Sequence, residues 1–334
     1  MMKLLVVRFS SIGDIVLTTP VVRCLKQQLG CELHYLTFQR FRAVMEFNPY
    51  IDKLITIDSS ISEVISSLRH ERYDLIIDLH HNIRTFSLKI KLLRPNIAFK
   101  KLNPRKLLFT SFRINILPEL HIVDRYMNTV RRLGVSYDDG GLDFFMPEGI
   151  LDSVRERIPE SHQNGFVAFV IGGRYSTKIY PEDLVALVID EIPVPVVLLG
   201  GDEDSVRGDA ICRKTRHPRV FNGCGIFSLH GSAALVAMAH VVITNDTGLM
   251  HIAAALRKKI VSLWGNTVPA FGMTPFLPSE LGHLSIIIQM EVVPCRPCSK
   301  LGFSRCPKGH FDCMRKILPS EVALAAKVLL NTPA

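Results

Sequence analysis

The chain has 334 residues, of which 48% are apolar and 21% are charged, and its formal charge is +9. The length is about twice that of one ordinary domain, so two domains are expected. The composition excludes a disordered chain, and no apolar run approaches the roughly 18–20 residues of a membrane-spanning helix. The N-terminal apolar run is too short for a signal peptide, which predicts a cytoplasmic protein with reduced cysteines. The positive charge favours anionic partners, and Lys89–Arg113 is the stretch where we expect contact with a membrane surface.

Short apolar runs rich in β-branched residues alternate with amphipathic stretches along most of the chain. The predicted strands are Leu4–Phe9, Leu33–Phe38, Leu54–Ile57, Leu75–Leu79, Phe166–Ile171, Val194–Leu199, Val241–Thr244, Ile260–Trp264 and Ser285–Gln289. The predicted helices are Val21–Leu29, Val64–Arg69, Leu184–Ile189 and Leu229–Ala239. This alternation predicts parallel sheets that are covered by helices and buried on both faces.

A polar segment with several Pro and Gly residues, Met146–Gly165, separates the two sets of strands. We interpret it as a domain junction, with an N-terminal α/β domain of residues 1–155 and a C-terminal one of residues 156–334. Open parallel sheets bind ligands where strands end and loops lead into helices. Residues with a chemical role are therefore expected directly after strands, facing a cleft between the domains.

The first such loop is Ser10–Val16, with the sequence SSIGDIV, and it contains Asp14. A carboxylate at this place can act as a general base for an attacking hydroxyl. The structural alternative is that Asp14 only caps the following helix, and on this motif alone capping is the better interpretation. Pro20 indicates that the helix begins late or kinks, so the position of Asp14 in the cap is open.

The most specific motif is Asn245–Leu256, with the sequence NDTGLMHIAAAL, after the strand Val241–Thr244. A turn with a glycine that opens an Ala-rich helix offers backbone N–H groups and the helix dipole to an anion. Thr247 adds a hydroxyl, and His251 lies one turn further along the same face. The structural alternative makes Asp246 an N-cap and His251 an ordinary histidine. That alternative is weaker here, because five polar or glycine positions cluster at one turn.

The loop Gly172–Asp183, with the sequence GGRYSTKIYPED, also follows a predicted strand. Its two leading glycines allow the backbone to approach a ligand closely. Lys178 can neutralise a diphosphate as a point charge, and Ser176 and Thr177 supply hydroxyl donors. A solvated lysine on a surface loop is the alternative for Lys178.

A fourth loop, Leu199–Asp204, closes the strand Val194–Leu199 with the sequence LGGDED. Glu203 or Asp204 can accept hydrogen bonds from a ribose. Equally, these acidic residues can cap the following helix. The sequence leaves both interpretations open.

SSIGDIV, GGRYSTKIYPED and DTGLMHIAAAL, in this order and spacing, resemble the heptosyltransferase family, glycosyltransferase family 9. The loops Asp78–Thr85 and Ser262–Pro269 are similar to loops of that family. The resemblance implies two Rossmann-like domains of the GT-B type facing a cleft, with the acceptor in the N-terminal domain and the donor in the C-terminal one. It implies heptose transfer from ADP-heptose to the inner core of lipopolysaccharide, with inversion and with no catalytic metal or cofactor. A lipid-linked acceptor of this kind implies peripheral contact with the cytosolic face of the inner membrane.

The resemblance also implies roles for single residues. Asp14 matches the proposed catalytic base, Lys178 the phosphate-contacting lysine, and Asp246 the acid that contacts the donor sugar. Arg8 and Arg84 are candidates for contact with an anionic acceptor. The diphosphate turn is matched by Thr247, Gly248, Leu249 and His251.

Two departures from the family pattern border the predicted donor site. Tyr180 stands where Trp is usual, and Asn266 stands where Pro is usual, with no Asp after Thr267. Because of these departures, the sequence predicts the identity of the donor's base and sugar less firmly than it predicts that a donor binds. A related transferase that uses another nucleotide sugar for surface glycan synthesis is therefore the alternative.

Four of the eight cysteines lie close together near the C-terminus with His310, namely Cys295, Cys298, Cys306 and Cys313. A C-x-x-C pair followed by further Cys and His resembles a structural zinc site, although the later spacings are not those of a standard ribbon. Free thiols in a packed loop, or disulfides formed after isolation, are the alternatives. Zinc here is expected to be structural, with no part in the sugar chemistry.

Other classes of protein fit the sequence less well. The first strand is not followed by the G-x-G-x-x-G of nicotinamide-dependent oxidoreductases, and no P-loop motif occurs. A non-catalytic protein that binds nucleic acid through its positive charge and its cysteine-rich segment is the remaining alternative. Its basic residues form neither an arginine-rich arm nor a compact aromatic and basic module, so no nucleic-acid partner is expected.

Overall fold

The computed structural model describes residues 1–333, which fall into two compact units. Unit 1 comprises Met1–Leu102 and Leu120–Phe145, and unit 2 comprises Asn103–Glu119 and the chain from Met146 onward. Residues 146–155, which we assigned to the N-terminal domain, belong to unit 2 because their helix packs on a helix of that unit. The boundary at residue 155 stays a prediction for the functional domains.

Unit 1 is built on one parallel sheet with the strand order β3-β2-β1-β4-β5. Its strands are β1 Lys3–Val7, β2 Glu32–Phe38, β3 Lys53–Ile57, β4 Leu75–Asp78 and β5 Asn96–Ala98. Its helices are α1 Ile12–Val16, α2 Thr19–Leu29, α3 Ile65–His70, α4 Ile83–Leu92 and α6 Ile122–Val130. The central strand β1 pairs on both sides, and its residues Leu4–Val7 are wholly buried. Val7 lies opposite Asp78 of β4, so both strands end at the same edge of the sheet.

Unit 2 is built on a second parallel sheet with the order β11-β10-β9-β6-β7-β8. Its strands are β6 Val167–Val170, β7 Val196–Leu199, β8 Val220–Asn222, β9 Val241–Asn245, β10 Lys259–Trp264 and β11 Ser285–Gln289. Its helices are α5 Asn103–Phe112, α7 Ile150–Arg155, α8 Glu182–Asp190, α9 Ser205–Lys214, α10 Leu229–Met238, α11 Gly248–Ala255, α12 Asp312–Arg315 and α13 Pro319–Asn331. Four of its strands, β6, β7, β9 and β10, are almost fully buried, as strands covered by helices on both faces must be.

The nine strands predicted from the sequence are all present, and the two parallel α/β sheets confirm the predicted fold class. Two edge strands escaped prediction, β5 and β8, because each has only three residues. The break expected at Pro20 also occurs, since α1 ends at Val16 and α2 begins at Thr19 with Pro20 in its first turn. No helix among residues 1–333 combines the length and the apolar character needed to cross a membrane.

Candidate functional site

Asp14 lies directly after β1, in the short helix α1 of unit 1. The N-cap of α1 is Ser11, not Asp14, and Asp14 occupies the third helical position. Its Oδ2 accepts hydrogen bonds from the Ser11 hydroxyl at 3.0 Å and from the Ser11 backbone N–H at 3.3 Å. Its side chain is 27% exposed and pairs with Arg8 through Oδ1. Asp14 thus stabilises the helix start from its third position and not as the N-cap, while part of its carboxylate stays open to solvent.

Arg8 is buried beneath this carboxylate and is only 7% exposed. Its Nη2 lies 2.8 Å from Oδ1 of Asp14, and its Nη1 donates to the Leu79 carbonyl at 2.7 Å and to the Tyr126 hydroxyl at 3.0 Å. Its Nε donates to the Ser10 carbonyl at 2.8 Å. With its donors directed at these groups, the guanidinium is placed to hold Asp14 in position. Contact between Arg8 and an acceptor stays a prediction.

Two residues of this site were not predicted from the sequence, His80 and Tyr126. His80 follows β4, and its ring lies 5.5 Å from that of Phe9. Burial, followed by the charge of Arg8, lowers the pKa of His80 to about 4, so its imidazole is neutral near pH 7. Burial raises the pKa of the Tyr126 hydroxyl to about 12. The signal for His80 was its place directly after a predicted strand, within the loop Asp78–Thr85 that resembles a loop of the family.

Arg84 lies in the first turn of α4, which follows the same edge of the sheet. Its guanidinium lies over the rings of Phe38, at 4.9 Å, and Phe9, at 5.8 Å. Arg84 is exposed, so its charge remains accessible to an anionic group. The structure therefore places Arg84 and Asp14 at the same edge of the sheet in unit 1. Contact between Arg84 and an acceptor stays a prediction.

In unit 2, side chains of three separate loops meet at the carboxyl edge of the sheet; Lys178 and Asp246 were predicted as donor residues, whereas Thr267 was not. Lys178, from the loop after β6, places its Nζ 2.5 Å from Oδ2 of Asp246, which follows β9. Thr267, from the loop after β10, donates its hydroxyl to the same oxygen at 2.8 Å. The side chains of Lys178 and Asp246 are 17% and 11% exposed. Asp246 is therefore not an N-cap, and a cation and a carboxylate stand together in a half-buried site.

The turn after Asp246 opens the helix α11, whose N-cap is Thr247. Gly248 and Leu249 occupy its first turn, where backbone N–H groups have no partner within a helix. Gly173, from the loop after β6, lies against this turn, since a methyl group on Gly173 would be in ordinary contact with the Thr247 side chain at 3.5 Å and in tight contact with that of Ile179 at 3.2 Å. His251 is 2% exposed and faces the interior. The predicted anion-binding turn is thus formed by Thr247, Gly248 and Leu249, with His251 packed behind it.

Asn245 was not predicted as a site residue, although it orders the loop between β6 and α8. Its amide nitrogen donates to the carbonyl of Val170 at 3.1 Å, and its side-chain oxygen accepts from the N–H of Tyr180 at 3.1 Å. Tyr180 is itself buried and donates its hydroxyl to the carbonyl of Ile317 at 2.8 Å. Tyr180, where the family usually has Trp, therefore lies in the core of unit 2.

The remaining predicted donor residues differ in their surroundings. Ser176 is exposed, whereas Thr177 is 2% exposed and exchanges hydrogen bonds with the backbone of Phe303. Glu203 is exposed, and its neighbour Asp204 is buried against Arg207 at 2.6 Å. Of the two acids weighed for a ribose contact, Glu203 is therefore the accessible one. Direct ligand contacts of Ser176, Thr177 and Glu203 stay predictions.

The cysteine-rich segment supports the donor loops through Arg296, which lies inside the C-x-x-C pair. Its Nη2 donates to the carbonyls of Trp264, at 3.2 Å, and Thr267, at 2.9 Å, and its Nε donates to that of Gly265 at 2.5 Å. Burial lowers the pKa of the Arg296 guanidinium. Sequence reasoning missed Arg296 because the cysteines beside it were the more familiar signal. Its backbone contacts hold the loop that contains Thr267.

The four cysteines do not form a complete zinc site in this arrangement. Cys295 Sγ lies 3.7 Å from His310 Nε2, but within residues 1–333 the one group of three or more ligand atoms close enough for a metal is Glu32, His34 and Glu71. The predicted zinc site stays a prediction.

Comparison with known proteins identifies the family. The model of glycosyltransferase family 9 (heptosyltransferase) matches residues 61–300, which include the donor motifs Gly172–Asp183 and Asn245–Leu256. The chain belongs to glycosyltransferase family 9. The family confirms that this protein is a glycosyltransferase, as the resemblance implied.

Named relatives of this glycosyltransferase cover most of its length. It is 23% identical to lipopolysaccharide heptosyltransferase 1 of Campylobacter coli, over 80% of this chain and 84% of that protein. The crystal structure of a family 9 glycosyltransferase from Veillonella parvula superposes with a TM-score of 0.78 at 25% identity, covering 98% of this chain and 97% of the other. ADP-heptose lipopolysaccharide heptosyltransferase II of E. coli gives a TM-score of 0.73 at 20% identity, covering 98% of both chains. These matches confirm the GT-B type of fold, with two Rossmann-like domains.

Proposed function

We propose that this glycosyltransferase moves heptose from ADP-heptose to an inner-core lipopolysaccharide acceptor, with inversion and without a catalytic metal. The names of its relatives support this, since two are lipopolysaccharide heptosyltransferases and one of them is named for ADP-heptose. The observation that carries the proposal is the cluster of Lys178, Asp246 and Thr267 beside the start of α11. It joins a cation, a carboxylate and open backbone donors, which suit a diphosphate and a sugar hydroxyl.

The diphosphate is proposed to bind between Lys178 and the first turn of α11. Its negative charge grows as the bond to the sugar breaks, so donors fixed in advance stabilise the transition state more than the ground state. The Lys178 ammonium and the N–H groups of Gly248 and Leu249 supply positive charge at this place, which is why no metal ion is invoked. The hydroxyl of Thr247, the N-cap of α11, can add a further donor.

The donor sugar is proposed to contact Asp246. Both hydrogen bonds that fix this side chain, from Lys178 and Thr267, end on Oδ2. An ionised carboxylate accepts hydrogen bonds on both oxygens, so Oδ1 is the atom that we assign to a sugar hydroxyl. The fixed orientation of Asp246 then orients the sugar relative to the diphosphate.

Asp14 is proposed to be the general base. The acceptor hydroxyl gives its proton to Asp14, and the hydroxyl oxygen forms a bond to the anomeric carbon of the donor sugar. At the same time, the bond from the anomeric carbon to the diphosphate oxygen breaks. ADP leaves with the electron pair, and attack from the opposite face inverts the anomeric centre. The adjacent Arg8 guanidinium favours the ionised carboxylate that this step needs, at the expense of some basicity.

A thermal-shift screen of nucleotide sugars, followed by a transfer assay with the best donor, tests the proposal. ADP-heptose is expected to raise the melting temperature most, and Asp14→Asn is expected to retain this shift while losing transfer. Lys178→Gln is expected to lose the shift, whereas the control Lys214→Gln, which removes an exposed ion pair with Glu182 in the same unit, keeps it. A larger shift with another nucleotide sugar would favour the alternative transferase for surface glycans. Near wild-type transfer by Asp14→Asn would exclude Asp14 as the base.

The proposed acceptor is lipid-linked, so we also propose that the enzyme acts in the cytoplasm at the inner face of the inner membrane. Support comes from the substrates in the relatives' names and from the exposed Arg84, which follows the same edge of the sheet as Asp14. Cell fractionation tests the location, and recovery of the enzyme in the periplasm would refute it.

A structural zinc ion on Cys295, Cys298, Cys306 and Cys313 is the last element of the proposal. The support is the C-x-x-C spacing and the contact between Cys295 and His310. Metal analysis of protein purified without chelators is expected to find zinc, which Cys298→Ser reduces. Metal-free protein with four titratable thiols in this segment would refute the zinc site.

A further inference from the structure

The outward face of α4 in unit 1 is apolar. Three of its residues at helical spacing are strongly exposed, namely Ile83 (88%), Phe86 (61%) and Ile90 (54%), and so is Leu93 (85%), the residue that caps the end of the helix. The opposite face of the helix packs into unit 1 through Thr85, Leu88 and Leu92. A surface helix normally turns polar residues to water, so an apolar stripe on its outer side indicates a surface that is covered when the protein acts. We call these four exposed residues the α4 stripe.

The α4 stripe lies in the most basic part of the chain. Residues 79–118 contain nine Lys and Arg and no Asp or Glu, and the other 31 Lys and Arg equal the 31 Asp and Glu of the whole chain. The entire formal surplus of +9 therefore arises from this one segment. Two of these cations are exposed and directly follow residues of the α4 stripe in the chain, Lys91 within the helix after Ile90 and Arg94 beyond its end after Leu93. A third, Lys89, pairs instead with the buried carboxylate of Asp78.

We propose that the α4 stripe and the cations beside it dock this protein on an anionic lipid bilayer. Apolar side chains that flank basic ones are the composition with which a helix binds in the interfacial region of a membrane. The apolar groups enter the boundary of headgroups and acyl chains, and Lys91 and Arg94 remain at the level of the lipid phosphates. The segment 79–102 of unit 1 contains no acidic residue, so it adds no negative charge that an anionic surface would repel.

Such docking would bring the site in unit 1 to the membrane surface. Ile83 begins α4, which follows the end of β4, and Asp14 follows the end of β1 at the same edge of the sheet. A lipid-anchored acceptor presents its sugars at that surface. The purpose of docking rests on the proposed function, whereas the binding itself depends only on the α4 stripe and the two cations beside it.

Co-sedimentation with lipid vesicles tests the inference. The full-length protein is expected to sediment with vesicles of phosphatidylcholine and phosphatidylglycerol, and to stay in solution with phosphatidylcholine alone. Replacement of Ile83, Phe86 and Leu93 by Ser is expected to weaken vesicle binding by at least about tenfold, as is Lys91→Gln with Arg94→Gln. High salt is expected to weaken the binding of the wild type as well.

Two matched controls test whether the loss of exposed apolar groups or of positive charge anywhere on the protein surface would weaken vesicle binding. Leu324→Ser with Val328→Ser removes exposed apolar groups from α13, and Arg131→Gln with Arg132→Gln removes the same charge elsewhere in unit 1. Both control proteins are expected to bind vesicles like the wild type. All the variants are expected to fold, because substitution of exposed residues has little effect on stability. Circular dichroism checks this expectation.

Three results would overturn the inference: no sedimentation with anionic vesicles, equal sedimentation with neutral ones, or unchanged binding of the Ile83, Phe86 and Leu93 variant. Transfer to a detergent-solubilised acceptor distinguishes the two proposals. Intact transfer without vesicle binding refutes only the docking surface, and vesicle binding without transfer to any acceptor refutes only the proposed function.

Discussion

Arg8 places its Nη2 2.8 Å from Oδ1 of Asp14, so the predicted catalytic base is held by a buried cation of its own unit. The same guanidinium spans three other groups, the carbonyls of Ser10 and Leu79 and the hydroxyl of Tyr126. These contacts join the end of β1 to the end of β4 and to α6. The position of Asp14 therefore depends on a residue that has no need to touch a substrate.

Arg8→Lys is expected to lower kcat while leaving the KM for the donor nearly unchanged. A lysine keeps the charge but cannot hold all four groups at once, so Asp14 loses its fixed orientation. Arg8→Met is expected to lower kcat further and to reduce the free energy of unfolding by about 3 kcal/mol, because an ion pair with one buried partner is broken. Steady-state kinetics and urea unfolding measure the two effects. A raised acceptor KM with an unchanged kcat would indicate instead that Arg8 binds the acceptor.

Arg296→Leu is expected to raise the KM for the donor and to lower the melting temperature. The carbonyls of Trp264, Gly265 and Thr267 then lose their donor, and unpaired buried carbonyls each cost about 1–3 kcal/mol. Arg305→Leu is the control, since Arg305 is exposed in the same cysteine-rich segment. Calorimetry and donor titration measure the effects. An Arg296→Leu protein with wild-type donor affinity would show that this segment does not support the donor loops.

Acidification is expected to destabilise the protein partly through His80. Burial is the main cause of its lowered pKa, the charges of Arg8 and Lys101 add to it, and Asp14 and Asp78 oppose it. The pKa of about 4 in the fold lies below the ordinary 6.5, so the unfolded chain binds more protons between these values. The contribution of His80 to the free energy of unfolding is therefore fully present above pH 6.5 and is lost as the pH falls toward 4.

Urea unfolding between pH 7 and pH 4 measures this loss. His80→Gln is expected to show a smaller loss than the wild type, by at most about 3 kcal/mol. Other buried histidines with lowered pKa values, His34 and His162, contribute equally to both proteins and cancel in the difference. His70→Gln, on the exposed side of α3, is the control. Equal pH dependence of wild type and His80→Gln would contradict this role of His80.

Asn266 is expected to contact the donor. Its side chain is 1% exposed, and within residues 1–333 neither its amide nitrogen nor its amide oxygen has a hydrogen-bond partner. A buried amide without partners costs free energy that a bound ligand can recover. Asn266→Leu is thus expected to raise the melting temperature of the free protein and to reduce the shift that the donor produces. An unchanged shift would remove Asn266 from the donor site.

The sequence predicted those parts of the fold that depend on local pattern. Each of the nine predicted strands is a run of four or more mostly apolar residues, whereas β5 and β8 are too short to form such a pattern. Lys178 and Asp246 lie 68 residues apart, and they were predicted for one site because both follow strands of a parallel sheet.

Contacts to backbone atoms could not be predicted in this way. Arg296 binds carbonyl groups, which every residue possesses, so no sequence pattern marks its partners. Arg8 likewise owes its role to carbonyls and to a tyrosine 118 residues away. Asn103–Glu119 belongs to unit 2, and its Arg113 donates to the carbonyls of Pro294, Cys295 and Pro297 in that unit.

Unit 2 consists of two separate chain segments, which restricts how this protein can be cut into fragments or combined with a relative in a chimera. A fragment that begins at Met146 lacks α5, so Phe271 loses the ring of Phe109 that lies 6.0 Å away. The carbonyl of Cys295 loses Arg113 in the same fragment. A chimera that exchanges donor-binding halves with a relative therefore needs two exchanged segments, Asn103–Glu119 as well as the chain from Met146 onward. A single crossover near residue 146 would separate Asn103–Glu119 from the rest of unit 2.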